Sequence, residues 1–142
     1  MIYAHADRVK SLSSAMGNNN AKIYRKGEEN AINLVAKILK TKNFERNKGV
    51  FDWLRGDTGM KLRVDAYFPT KNLVLEYHGA QHFRENKLMD RRKGRAKQRR
   101  KYTKLRQKFI PMHGLKLLEV SYDEPLTTEH IKNRLMQLGC KI

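Results

Sequence analysis

The chain has one cysteine, Cys140. That excludes an internal disulfide and a thiolate-based structural zinc site, so any metal would have to be held by oxygen and imidazole. Acidic residues are scarce: 14 Asp plus Glu stand against 31 Lys plus Arg, for a formal charge of +17. So large an excess repels itself unless an anion is usually nearby, and nucleic acid is the leading partner. No apolar run approaches the ~20 residues that cross a bilayer. The opening MIYAHADRVK lacks the basic-then-apolar layout of a secretory signal, so the expected location is the cytoplasm. No internal repeat or low-complexity linker interrupts the sequence. What is present is 142 residues, 39% of them hydrophobic, enough for one domain with its own core.

Residues 1–26 read as an amino-terminal arm. They contain a short helix candidate, ADRVKSLSSAM, closed by GNNN, whose Gly and Asn residues favour turns and helix ends. From Gly27 the pattern becomes that of a domain reaching residue 142. In GEENAINLVAKILK, Ala31, Ile32, Val35, Ile38 and Leu39 recur at the spacing of one helical face. Glu28 and Glu29 would sit in the first turn, where simple helix capping accounts for either. The stretch KNFERNKGVFDWLRGDTGM is loop-like, with VFDWL as a candidate strand.

In KLRVDAYFP, Leu62, Val64, Ala66 and Phe68 alternate with Arg63, Asp65 and Tyr67, the signature of a strand with one buried face. Pro69 opens a short turn, and NLVLEYH resumes at once, which predicts a hairpin. On the second strand Leu73, Leu75 and Tyr77 share one face, while Val74, Glu76 and His78 share the other. Asp65 and Glu76 then lie as close neighbours, and like charges that close call for a cation. Mg²⁺ suits the place, being a hard ion that takes a few carboxylate oxygens and keeps several waters. An imidazole two residues beyond the second carboxylate would stand at the edge of that water shell, able to take a proton from an attacking water. The bland alternative pairs Asp65 with Arg63 or Arg84 and leaves the histidines as strand-end polar residues.

Downstream, DRRKGRAKQRRKYTKLRQKF carries Arg91, Arg92, Lys93, Arg95, Lys97, Arg99, Arg100, Lys101 and Lys104 among its bases. Met89, Ala96, Tyr102, Leu105 and Phe109 form a narrow apolar stripe along it. The expectation is a helix whose charged face grips phosphates and whose affinity falls steeply with salt. After Pro111 come a turn at Gly114, a strand LKLLEVSY and a last helix. That helix is opened by Thr127 or Thr128, closed by Gly139, and apolar at Ile131, Leu135 and Leu138. The order helix, hairpin, helix, strand, helix predicts an α/β domain with a mixed sheet flanked by helices.

The series GE, FDWLRG, LRVDAYFP, NLVLEYHGAQHF, DRRK and GLKLLEVSYDE resembles the restriction-endonuclease-like superfamily. The branch is that of the very-short-patch repair endonucleases and the phage homing endonucleases with an EDxHD signature. The resemblance spans about residues 27–124. It implies a small restriction-endonuclease-like core, a Mg²⁺-dependent endonuclease in which Mn²⁺ can substitute, and duplex or branched DNA as substrate. It also widens the expected location to the host-cell cytoplasm of a phage. By the same resemblance Asp65 is the central metal ligand, and Glu76 a second ligand or a carboxylate acting through metal-bound water. His78 stands where most of the superfamily has a lysine and is the candidate general base. His82 would support the scissile phosphate or leaving group, Gln81 matches a glutamine of phage-type nucleases, and Asp90 corresponds to the final acid. Glu28 would be the helix-borne acid that orients metal water, with Glu29 as its alternate.

The chain departs from short-patch repair enzymes in lacking their cysteine-bound zinc and aromatic wedges, which argues against mismatch repair and for nicking or structure-selective cleavage. One active site cuts one strand, so duplex cleavage calls for a homodimer, with the arm as a contact, or for two visits. The competing class is a non-catalytic, basic DNA- or RNA-binding architectural protein. A third, a ribosome-associated basic protein, predicts longer basic extensions and fewer strands. The architectural reading does not explain acids and a histidine in phase on neighbouring strands.

Overall fold

Ala31, Ile32, Val35, Ile38 and Leu39 are all buried in the computed structural model of the chain, as their helical spacing requires. The structure describes residues 19–80 and 94–142. In order it comprises helix α1 (Asn19–Leu39), strands β1 (Glu45–Lys48) and β2 (Val64–Phe68), a 3-10 turn (Pro69–Lys71), strand β3 (Leu73–His78), helix α2 (Arg95–Met112), strand β4 (Lys116–Ser121) and helix α3 (Thr128–Gln137). The strands form one open sheet in the order β1-β2-β3-β4. The first two pairings are antiparallel and β3 with β4 is parallel, so the fold is α/β with a mixed sheet.

Each face of the sheet is covered by helix. On one, Ile32 and Val35 of α1 and Ile131 and Leu135 of α3 pack on Ala66, Phe68, Leu73, Leu75, Leu118 and Val120. On the other, Ile110 of α2 joins Val64, Val74, Phe51, Leu54 and Leu62, with Tyr102, Leu105 and Phe109 against them. Short local signals fix the ends. Asn72 turns the hairpin in the left-handed region at φ 49°, a conformation Asn tolerates. Thr127 caps α3 by accepting from the His130 N–H at 3.2 Å, as expected.

Several expectations are corrected. Helix α1 begins at Asn19, so part of GNNN lies inside it, the 26/27 boundary falls within a helix, and Glu28 and Glu29 are not in a first turn. The capping account of the two glutamates therefore fails. The ADRVKSLSSAM segment lies outside the described residues. VFDWL is not a strand: Leu54 N–H closes a turn onto the Phe51 carbonyl, and Phe51 and Trp53 stack with ring centroids 4.5 Å apart. The strand is instead β1, four exposed residues ERNK in the supposed loop. Leu62, Val64, Ala66 and Phe68 do not share a face, since the first two pack beneath α2 and the last two beneath α1 and α3. The side-chain phase slips between Val64 and Ala66, at Asp65. Pro111 lies inside the last turn of α2 and does not end it.

Candidate active site

The antiparallel register Ala66↔Leu75 sets Asp65 beside Glu76, and there the two side chains replace ladder acceptors. The Asp65 N–H donates to Glu76 Oε2 at 2.7 Å, and the Tyr77 N–H donates to Asp65 Oδ2 at 2.7 Å. Carboxylates that accept strand N–H groups hold their positions without rotamer freedom, which suits a site needing fixed oxygens.

Burial is the main electrostatic fact. It pushes the Asp65 carboxyl from its ordinary 3.8 up to about 9, and the charges of Glu76 and Glu28 push the same way. Burial also raises Glu76, against the opposing pull of Arg106. The Arg106 Nε lies 3.1 Å from Glu76 Oε1 and donates to the Arg63 carbonyl at 3.0 Å. Among the described residues no cation pairs with Asp65, and the Arg63 pairing considered from the sequence is not formed. Arg84 lies outside them.

Glu28 reaches the pair from α1. Gly27 makes this possible, because a Cβ there would fall 2.5 Å from the Tyr77 hydroxyl, and only glycine lets the helix lie so close to β3. Glu28 is half-buried beside Asp65 while Glu29 is exposed, so the geometry favours Glu28 of the two. Asn47 of β1 donates from Nδ2 to Glu28 Oε2 at 3.4 Å.

His78 falls on the Glu76 side of β3, and its Nε2 lies 2.7 Å from Glu119 Oε2. Glu119 belongs to β4, in register with Glu76 across the parallel pair. Its carboxyl is held below the usual range, chiefly by the His78 hydrogen bond and against the effect of burial. Gln107 Nε2 donates to the same Oε2 at 2.9 Å. Sequence reasoning missed Glu119, Gln107, Arg106 and Asn47 as members of this cluster. The alternation in LKLLEVSY, with Glu119 between Leu118 and Val120, was the one available signal for Glu119.

Gln81, His82, Asp90, Arg91, Arg92 and Lys93 lie outside the described residues. Of the expected phosphate contacts, Arg95, Lys97, Arg100, Lys101 and Lys104 are exposed on α2 and Arg99 is half-buried. Lys101 also pairs with Asp57. Among the described residues no three His, Cys, Asp or Glu side chains form a ready metal-ligand set. A hard cation here would rest on Asp65 and Glu76 and otherwise on water. The donors fit Mg²⁺ or Mn²⁺ in that mode: both are carboxylates that accept backbone N–H groups, and half-buried Asp65 lies among acids with no counter-charge among the described residues.

No helix among the described residues is long and apolar enough to cross a membrane. Neither a family model nor a solved structure matches the chain. It is similar to the uncharacterized protein 033L of Invertebrate iridescent virus 3, at 34% identity over 84 residues. The match covers 58% of this chain and 43% of that protein, so the chain spans less than half the length of the relative.

Proposed function

We propose that the protein is a metal-dependent DNA endonuclease with a restriction-endonuclease-like core, hydrolysing phosphodiester bonds by nicking or structure-selective cleavage. The observation that carries this reading is the pairing of half-buried Asp65 with buried Glu76, held by reciprocal backbone hydrogen bonds, with no cation on Asp65 among the described residues. Two like charges are costly to bury, and a fold that fixes both oxygens gains from a divalent ion. Bound there, Mg²⁺ would offset charge on the phosphate and acidify a water. The chain's own residues do the rest. Asp65 and Glu76 present oxygens, His78 accepts a proton from the attacking water, and Glu28 orients water from the α1 side. The exposed bases of α2 hold the DNA backbone.

One contact favours the non-catalytic alternative: Arg106 already neutralises Glu76, as a structural ion pair would. Supercoiled plasmid incubated with the protein, with Mg²⁺ or with chelator, separates the readings. Nicking should require metal and disappear in Asp65→Ala and Glu76→Gln while DNA binding persists. Cleavage undiminished in Asp65→Ala would sink the nuclease assignment, and binding without cleavage in the wild type would favour the architectural reading.

A further inference from the structure

His113, just past the end of α2, closes a run of rings that leads out of the core. Tyr67 meets Phe51 edge-on with centroids 4.8 Å apart, Phe51 stacks on Trp53 at 4.5 Å, and Trp53 stacks on the His113 imidazole at 3.8 Å with the planes 5° apart. Exposure grows along the run, from buried Phe51 through half-buried Trp53 to exposed His113. An exposed side chain is ordinarily free to turn, yet this one is held twice. Its ring lies on Trp53, and its Nδ1 donates to the Phe109 carbonyl at 2.8 Å, since a carbonyl can only accept. The space beyond is open: Gly114 turns the chain at φ 76°, and a Cβ there would meet nothing within 4 Å.

A fixed, flat, solvent-facing ring is a surface for another flat ring, and it loses little freedom on meeting one. Charge selects which. Lys108 carries its ammonium 5.5 Å from the centre of the Phe109 ring, on the residue whose carbonyl holds His113, and Lys104 is exposed one turn earlier. The acid next to Trp53, Asp52, is answered by Lys61 at 2.9 Å and Arg55 at 3.6 Å, so it does not repel phosphate. Cations for the backbone and aromatic rings for the bases are the two means by which single strands are held. In a duplex the faces of the bases are covered by their neighbours, so only an unpaired nucleotide can use such a ring.

We propose that His113, backed by Trp53, stacks an unpaired base of a nucleic-acid strand whose phosphates lie on Lys104 and Lys108. This deepens the nuclease reading by naming its DNA class, strands with unpaired nucleotides, and rests on that reading only for its consequence in cleavage. His113 follows Arg106 by seven residues, about 10 Å along the helix axis, close enough for one strand to touch both the ring and the candidate site.

Binding is measured in chelator, so that no metal-dependent cleavage intervenes, for a short oligodeoxythymidylate and for the same sugar–phosphate chain without bases. The wild type should bind the thymine strand roughly 5–100-fold more tightly. The thymine strand alone should change the emission of Trp53, the single tryptophan of the chain. His113→Ala should erase the preference while leaving affinity for the abasic strand as it was, and His113→Phe, which keeps a ring, should restore it. Equal wild-type affinity for the two strands, or a preference that survives His113→Ala, would overturn the proposal. A protein that prefers the thymine strand but cuts no DNA would keep the stacking site and lose the nuclease reading.

Discussion

Asp65 is the residue on which the electrostatics of the site turn. Its carboxylate accepts the Tyr77 N–H, yet burial and the neighbouring charges of Glu76 and Glu28 raise it from 3.8 to about 9. A group whose folded value lies above its unfolded value adds stability that is fully present below the unfolded value. That stability is lost as pH rises through the folded one. Asp65 therefore opposes folding of the metal-free protein in mildly alkaline solution. Asp65→Asn keeps an oxygen for the Tyr77 N–H and removes the charge. At about pH 8 the metal-free variant should melt at a higher temperature than the wild type, and the gap should close as pH falls toward the ordinary carboxylate range. Added Mg²⁺ should raise the melting temperature of the wild type much more than that of Asp65→Asn, by mass action on a site that needs the carboxylate. Thermal melts with and without chelator read both effects. A variant less stable than wild type at alkaline pH would show that something on the protein already compensates the charge.

At the scale of elements, α2 divides its residues between two tasks. Tyr102, Leu105, Phe109 and Ile110 recur at helical spacing and pack on the sheet, while Lys97, Arg100, Lys101, Lys104 and Lys108 face solvent. Arg106 and Gln107 turn between them toward Glu76 and Glu119. Of these outer bases Lys97, Arg100 and Lys104 are placed to meet phosphates, while Lys101 is paired with Asp57. Neutralising Lys97, Arg100 and Lys104 together should flatten the dependence of log K on log salt by roughly one unit per lost phosphate contact. Arg106→Gln should instead disturb the site while leaving that slope alone. Titrations of labelled duplex at several salt concentrations would check this, and an unchanged slope in the triple variant would place the DNA on another surface. This helix was legible because its sparse apolar residues keep a helical period. α1 and α3 were legible for the same reason and the β2–β3 hairpin from its alternation around a short turn, with Thr127 and Asn72 as readable punctuation. β1 was not, because ERNK at an exposed sheet edge has no buried face to impose alternation, and charge there blunts edge pairing. The phase slip at Asp65 was also hidden, since apolar residues on both sides of it are buried by different helices.

Across the whole molecule the candidate site draws on six elements: Glu28 from α1, Asn47 from β1, Asp65 from β2, Glu76 and His78 from β3, Arg106 and Gln107 from α2, and Glu119 from β4. Alternation within a hairpin exposed the middle three, but His78 and Glu119 are 41 residues apart and meet only through a parallel pairing. No local pattern encodes that. The wall behind Glu119 is closed by α3, where Arg134 donates to the Glu119 carbonyl and to Glu124, and His130 contacts the same Glu124 oxygen at 3.0 Å. Burial alone would raise the Glu124 carboxyl, but the hydrogen bonds from His130 and Arg134 outweigh it and hold it below its ordinary 4.5. A depressed folded value means stability that is present above the unfolded value and lost as pH falls through the folded one. The seam between α3 and the end of β4 should therefore loosen in acid. Glu124→Gln removes the charge at every pH, so it should lower stability near neutrality and flatten the acid limb of the stability curve. Denaturant melts between about pH 3 and 7 would show it. Identical acid limbs for wild type and variant would mean that acid acts elsewhere. A flattened limb would make Glu124 a group through which acid loosens the seam between α3 and the end of β4.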